Sequence, residues 1–295
     1  TDLFVFGGGS LLQDKTSSKS LYYYLFLLKL AQYYHKPIFV FANGVGPISN
    51  RFNQRLTKSL LSKVDFISLR DQNSCNFLRQ IGVKDKKIYV TADPVFLLDT
   101  GEANKQTAKR KEQPKEAPLK LAIAIRNWPD AKNLKEVMVA FINQLATDNI
   151  TISLVPMQIP DDLNLAKELM SLSHNSQMHL IDETLEAEDM IDLFASCDLI
   201  IAMRLHAIIY AAIAKRPVLA LDYDPKVRAL VDQLSIAEVI PIDQLSLNSL
   251  LAAFQSLLNN LTMRQKNMAQ ALESMQKKAE KNFHYLSEVL RNDEN

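Results

Sequence analysis

Short, uninterrupted apolar runs along this chain alternate with longer stretches in which polar residues recur at helical spacing, the pattern of buried parallel strands separated by helices. Strands are predicted at Asp2–Phe6, Pro37–Ala42, Phe66–Leu69 and Lys87–Thr91, with helices at Ser20–Tyr34, about Asn53–Lys63, and Ser74–Ile81 closed by Gly82. A second series follows, with strands at Leu121–Ile125, Ile150–Val155 and His179–Ile181 and helices at Leu134–Thr147, Leu163–Leu172 and Ala187–Ala195. Asp198–Ala202, Leu205–Ala214 and Pro217–Tyr223 then read as strand, helix and strand, the helix apolar nearly all round as if covered on both sides. From Leu247 to Leu290 the pattern is helical, and Leu250, Phe254, Leu257, Leu258 and Leu261 form one stripe suited to core packing.

This alternation predicts an α/β fold of two Rossmann-like parallel-sheet domains, residues 1–100 and 119–295, the second ending in long helices. Between them, GEANKQTAKRKEQPKEAP (101–118) carries five Lys/Arg against three Glu and almost no large apolar side chain. Such a composition reads as a solvated linker in preference to a basic binding arm.

A length of 295 residues accommodates two cores, and 47% hydrophobic with 23% charged residues fits a globular chain. The formal net charge of +1 removes the electrostatic case for a nucleic-acid partner. Cys75 and Cys197 are too few and too far apart for a disulfide framework or a zinc site, so a reducing compartment is expected. No run is long enough for a membrane span and no signal peptide precedes the first strand. The chain starts at Thr1 inside a working element, which leads us to expect a trimmed start with further structure upstream.

The candidate chemistry collects where strands give way to helices, the place where parallel sheets bind ligands. Arg204 and His206 stand at one such junction, a planar donor fork beside a side chain that exchanges protons near neutral pH. The plainer reading pairs Arg204 with a carboxylate and leaves His206 a half-buried structural residue. Arg70 and Arg126 end other strands, and three arginines at strand ends suit a ligand with several negative charges, although Arg70 could simply pair with Asp71.

Gly7-Gly8-Gly9-Ser10 could form an anion cradle or a tight turn under the sheet; it is neither G-x-G-x-x-G nor a P-loop. Asp14 could act as a base, orient a sugar hydroxyl, or cap a helix. Asp222-Tyr223-Asp224-Pro225-Lys226 could touch the ligand or form a turn. Tyr22–Tyr24 and Tyr33-Tyr34 read as core and boundary residues, a sugar-stacking platform being the alternative. His35, His174, His179 and His284 lack metal-ligand spacing, and no nucleophile elbow is present, so neither a metal site nor a serine triad is expected.

Side by side, DLFVFGGGSLLQD (2–14), FANGVGPI (41–48), ISLRDQNS (67–74), TADPVF (91–96), AMRLHAIIYA (202–211) and LDYDPKV (221–227) resemble the polysaccharide pyruvyl transferase family, in particular its CsaB type. The resemblance implies a GT-B-like architecture with the active site in the cleft between two domains. It also implies transfer of a pyruvyl group from phosphoenolpyruvate to a sugar as a cyclic ketal, at the cytoplasmic side of the plasma membrane. CsaB-like members are associated with N-acetylmannosamine in lipid-linked precursors of secondary cell-wall polymers, which S-layer homology domains bind. Phosphoenolpyruvate is then a donor substrate, no cofactor is expected, and peripheral contact with the membrane fits a lipid-linked amino-sugar acceptor.

The expected site comprises His206 as general acid and Asp14 as base, with Arg204, Arg70, Arg126, Gly8, Gly9, Ser10, Asn43, Tyr223 and Lys226 binding substrate. Arg204 matches the family's Arg-Leu-His block. The family's usual opening strand and Gly-rich turn before the GGGS unit have no counterpart here. A GT-B glycosyltransferase using a nucleotide sugar, or a non-catalytic glycan-binding protein, would present similar features.

Overall fold

In the computed structural model, which describes residues 2–15, 17–84, 88–98 and 117–292, the predicted alternation takes the form of two parallel sheets. The basic segment 101–118 lies outside the described residues up to 116, as does Lys87. Two compact units divide the chain, residues 1–97 with 274–295, and residues 98–273.

In the first unit Phe4–Gly7 (β1), Ile38–Asn43 (β2), Phe66–Leu69 (β3) and Ile88–Val90 (β4) pair in sequence order. Ser18–Tyr33 (α1), Arg51–Leu61 (α2) and Gln72–Gln80 (α3) connect them. Side-chain oxygens of Ser17, Asn50 and Asp71 cap the three helices, a contribution of about 1 kcal/mol each. Because side chains alternate across a strand, Ile38, Val40, Ile67 and Leu69 join the helices' Leu21, Leu25, Leu28, Leu60 and Leu78 in one core.

Aromatic residues occupy the alternate positions, and the end of the long C-terminal helix covers them. Phe41 meets Phe283 edge to face, and Tyr89 stacks on Tyr285 with centroids 4.1 Å apart. Asn282, fully buried, donates to the Ala92 carbonyl and accepts from Thr91 Oγ1. These contacts correct the expected division at residue 119: residues 274–295 complete the first unit's sheet. Local periodicity identified the helix but carried no information on which sheet it covers.

The second unit holds Leu119–Ala124 (β5), Ile150–Leu154 (β6), Met178–Leu180 (β7), Leu199–Ala202 (β8), Val218–Asp222 (β9) and Val239–Pro241 (β10), ordered β10-β9-β8-β5-β6-β7. Helices Leu134–Gln144 (α4), Asp161–Leu172 (α5), Ala187–Ser196 (α6), Leu205–Ile213 (α7), Pro225–Leu234 (α8) and Leu247–Asn259 (α9) accompany them, before the long Leu261–Asn292 (α10). All four residues of β8 are buried, and α7 buries six of its nine, lying against both α6 and α8. Each buried Leu or Ile there contributes roughly 1.5–3 kcal/mol.

Two elements go beyond the sequence reading. Pro225–Leu234, to which the sequence reading assigned no element, is a helix whose Val227, Leu230, Val231 and Leu234 face inward, and Val239–Pro241 is a three-residue edge strand. Among the described residues no helix is long and apolar enough to cross a membrane.

Candidate functional site

The second sheet reverses its strand order between β5 and β8, and in open α/β sheets ligands bind beyond the carboxyl ends of strands at such a switch point. Register aligns Ala124, Ala202 and Ala220 side by side on β5, β8 and β9. Arg126, Arg204 and Asp222 each lie two residues further on, so they leave the sheet edge as neighbours. His206 follows in the first turn of α7, exposed, with its ring 6.1 Å from that of Tyr210.

Arg204 is already paired with a carboxylate. Its Nε and Nη2 donate to Asp162 Oδ2 and Oδ1, each at 2.6 Å, and Nη2 also donates to Gln158 Oε1 at 2.9 Å. The Asp162 side chain is fully buried, and its Oδ2 accepts the backbone N–H groups of Met157 and Gln158 as well. The geometry matches the plainer alternative for Arg204, pairing with a carboxylate: Nε and Nη2 are held, and the pair fastens the start of α7 to the loop after β6. Asp162 was missed in the sequence; its only signal was an acidic first turn, Asp161-Asp162, after Pro160.

Arg204 is the N-cap residue of α7, and its donor-only guanidinium makes no capping hydrogen bond to the helix. Arg126 stands on the neighbouring strand, partly exposed, and forms no ion pair among the described residues. Its guanidinium lies 5.4 Å from the Trp128 ring centroid and 5.8 Å from that of Tyr223, while the two rings meet at 4.5 Å, tilted by 64°. Such contacts hold a guanidinium in place without neutralising it. Trp128 was also missed, although a lone tryptophan two residues after a strand-end arginine was visible.

Asp222 is half-buried; burial raises its carboxyl above the ordinary value, against the opposing pull of Arg228 at 3.5 Å. The Lys226 backbone N–H donates to Asp224, which caps α8, so this stretch serves as a helix start.

The first unit gathers Gly8, Gly9, Ser10, Asn43 and Arg70 at the carboxyl ends of β1, β2 and β3, but in a structural arrangement. Arg70, 8% exposed, donates from Nη1 to Asp93 at 2.8 Å and from Nη2 to Ser10 Oγ at 2.7 Å. Both the predicted anion contact and the alternative pairing with Asp71 are thereby corrected, since Asp71 caps α3. Ser10 is correspondingly a support for Arg70. A Cβ on Gly44 would fall 2.9 Å from both Arg70 Nε and Ser10 Oγ, so only glycine lets β2's end approach this cluster.

Asn43 is fully buried, and among the described residues neither its Oδ1 nor its Nδ2 has a hydrogen-bond partner. Gly8 and Gly9 adopt φ of 77° and 68°, left-handed conformations that glycine tolerates, and Gly9's carbonyl accepts from Gly44 N–H. The triglycine is thus the tight turn.

Asp14 accepts from Ser49 N–H at 2.8 Å, Asn50 N–H at 3.3 Å and Asn53 Nδ2 at 2.9 Å. Burial pushes its carboxyl up, but these donors together outweigh it and leave the pKa below the ordinary value. A carboxylate so stabilised is a weak base, and Asp14 instead ties the loop after β1 to the start of α2. Both cysteines are buried and neither forms a disulfide among the described residues; burial pushes the Cys197 thiol up to about 11. Among the described residues no cluster of His, Cys, Asp or Glu is arranged to hold a metal ion.

Comparison with known proteins gives a consistent picture. The family described as polysaccharide pyruvyl transferase matches residues 1–225. The amylovoran biosynthesis protein AmsJ of Erwinia amylovora is 26% identical over 223 residues, covering 69% of this chain and 53% of AmsJ, so the chain spans about half the length of that relative. Among solved structures, Anabaena HepE in complex with UDP superposes with a TM-score of 0.66 at 13% identity, over 99% of this chain and 79% of HepE. The UDP-GlcNAc 2-epimerase of Neisseria meningitidis bound to UDP-GlcNAc gives 0.65 at 17% identity, over 97% of this chain and 76% of the epimerase. At those identities the likeness is one of fold, and it is the GT-B fold.

Proposed function

Since the chain belongs to the polysaccharide pyruvyl transferase family, we propose that it transfers a pyruvyl group from phosphoenolpyruvate to two hydroxyls of one sugar, closing a cyclic ketal. The acceptor we propose is N-acetylmannosamine in a lipid-linked cell-wall polysaccharide precursor, met at the inner face of the plasma membrane.

One observation carries the reading beyond family membership. At the switch point of the second sheet, Arg126, with no ion pair among the described residues, stands just beyond the strand beside the one that leads into α7, whose first turn bears an exposed His206. Arg126 and the N–H groups opening α7 together suit the phosphate and carboxylate of the donor. His206 protonates the methylene carbon of the enol, positive charge develops on the adjacent carbon, and a sugar hydroxyl attacks there and loses its proton. The bond to phosphate then breaks, the second hydroxyl closes the ring, and inorganic phosphate departs with its oxygen. Asp222, whose carboxyl is raised by burial, suits the proton acceptor better than Asp14. The donor brings both the transferred carbon skeleton and the leaving group, so we propose the reaction without a resident cofactor.

The test incubates the protein with phosphoenolpyruvate and a synthetic N-acetylmannosamine-containing acceptor, following phosphate release and acceptor mass. Ketal formation, with His206→Ala slower by about 10²–10⁴-fold, is expected. Near-normal turnover in that variant rules out the acid assignment. The rival reading, a glycosyltransferase using a nucleotide sugar, draws on the UDP-bound structures of the same fold. Thermal stabilisation by UDP-sugars and not by phosphoenolpyruvate would favour it.

A further inference from the structure

From Lys15 to Val64 the chain carries eight Lys/Arg and no Asp or Glu, although the whole protein has a formal net charge of +1. This stretch contains α1 and α2, which run side by side on one face of the first unit's sheet. Tyr22 Oη donates to Asn53 Oδ1 at 2.9 Å near their N-terminal ends, and Gln32 Nε2 donates to the Leu60 carbonyl at 2.9 Å near their C-terminal ends.

Leu21, Leu25 and Leu28 of α1 and Leu60 and Leu61 of α2 are buried, whereas Tyr23, Phe26, Tyr33, Tyr34 and Phe52 are 58–74% exposed. Lys19, Lys29 and Lys36 are exposed on and just after α1, and Arg51, Arg55, Lys58 and Lys63 on and just after α2. None of these basic groups forms an ion pair among the described residues. At the C-terminal end of α2 lies a cavity of about 560 Å³, lined by Lys58, Lys63 and Lys84, by Leu61 and Val64, and by one carboxylate, Asp65, which accepts the Ile38 N–H at 2.9 Å.

We infer that the α1–α2 face docks onto an anionic lipid surface. Tyrosine and phenylalanine settle at the headgroup level of a bilayer, lysine and arginine reach its phosphates, and no carboxylate on either helix opposes the approach. Three lysines against the single carboxylate of Asp65 leave the cavity an excess of positive charge suited to one phosphate headgroup. A second copy of the chain is disfavoured as the occupant, because an isologous contact through this face would set like charges against like. The inference rests on the proposed function only in that a lipid-linked acceptor gives the docking a purpose. Lipid binding is read without any transfer reaction, so the two fail separately.

The test is flotation of the full chain with phosphatidylcholine vesicles, with and without phosphatidylglycerol, at low and high salt. Binding only to the anionic vesicles, weakened by salt, is expected. Lys29→Glu combined with Arg55→Glu should lower the partition coefficient at least ~25-fold, about fivefold for each basic group lost. Tyr33→Ser combined with Tyr34→Ser should lower it several-fold, and both variants should keep the parent's circular dichroism and melting temperature. Absence of binding to either vesicle, equal binding to both, or undiminished binding by the charge-reversed variant would overturn the inference. So would a concentration-dependent dimer that the charge reversal dissociates while no vesicle binding is seen.

Discussion

Replacing Asp162 by alanine isolates the interaction that most changes the reading of the site. The substitution strips a fully buried carboxylate from Arg204, itself only 15% exposed, and deprives the Met157 and Gln158 N–H groups of their acceptor. Opposite charges with centres about 4 Å apart attract by about 4 kcal/mol at an effective dielectric constant of 20. Breaking a buried pair from one side typically costs about 3–5 kcal/mol, because the remaining charge stays desolvated. The lone tryptophan, Trp128, lies in the same unit, so its fluorescence during urea unfolding reports on that unit. A loss of this size moves the midpoint by roughly 1.5–2.5 M at a slope of 2 kcal/mol per molar. The double variant Asp162→Leu with Arg204→Met should recover most of the loss, since apolar residues of similar volume replace buried pairs at little cost. The reasoning is refuted if Asp162→Ala lies within about 1 kcal/mol of the parent while Arg204→Met, fully stable, raises the KM for phosphoenolpyruvate tenfold or more.

Three further outcomes follow from the geometry. Arg126→Met should weaken phosphoenolpyruvate binding at least tenfold in a Trp128 fluorescence titration, at a stability cost below about 0.5 kcal/mol; unchanged affinity would remove Arg126 from the donor site. Asp14→Asn should destabilise the first unit by about 1 kcal/mol at neutral pH, a figure reduced for the group's partial exposure. Because the folded pKa of Asp14 is lowered, its contribution is complete above the ordinary value of 3.8 and disappears as pH falls through the folded pKa. Melting curves of parent and variant should therefore converge in acid, and a gap that widens there contradicts the sign. Asn43→Val removes two buried, unpartnered polar atoms and should stabilise the protein by about 1 kcal/mol; a loss of that size in a thermal melt would mean the amide is needed.

The α/β alternation was readable because each strand had to be a short buried apolar run, while helices either kept a polar side or, like Leu205–Ile213, ran apolar beyond the length of a strand. Phe66–Leu69 and Leu205–Ile213 needed no knowledge of their neighbours. The same local logic placed nearly every candidate residue at the carboxyl end of a strand. It falls short at Pro225–Leu234, because Asp224-Pro225 suits a ligand-contacting loop or a turn as well as the start of the helix it in fact begins.

The roles of the arginines lay outside what spacing could convey. Arg70, Arg126 and Arg204 occupy equivalent strand ends, yet two meet carboxylates brought from 23 and 42 residues away while the third rests on aromatic rings. A guanidinium is free or neutralised according to what the fold places within about 3 Å of it, and that distance is a property of loops meeting across a sheet edge. The assignment of residues 274–295 to the first unit has the same origin, since Asn282 finds its partners about 190 residues earlier in the chain. Sequence by itself determined the sheets, the helices and the edges on which ligands collect. Tertiary structure decided which charges on those edges remain available, because desolvation and pairing depend on contacts that no local pattern encodes.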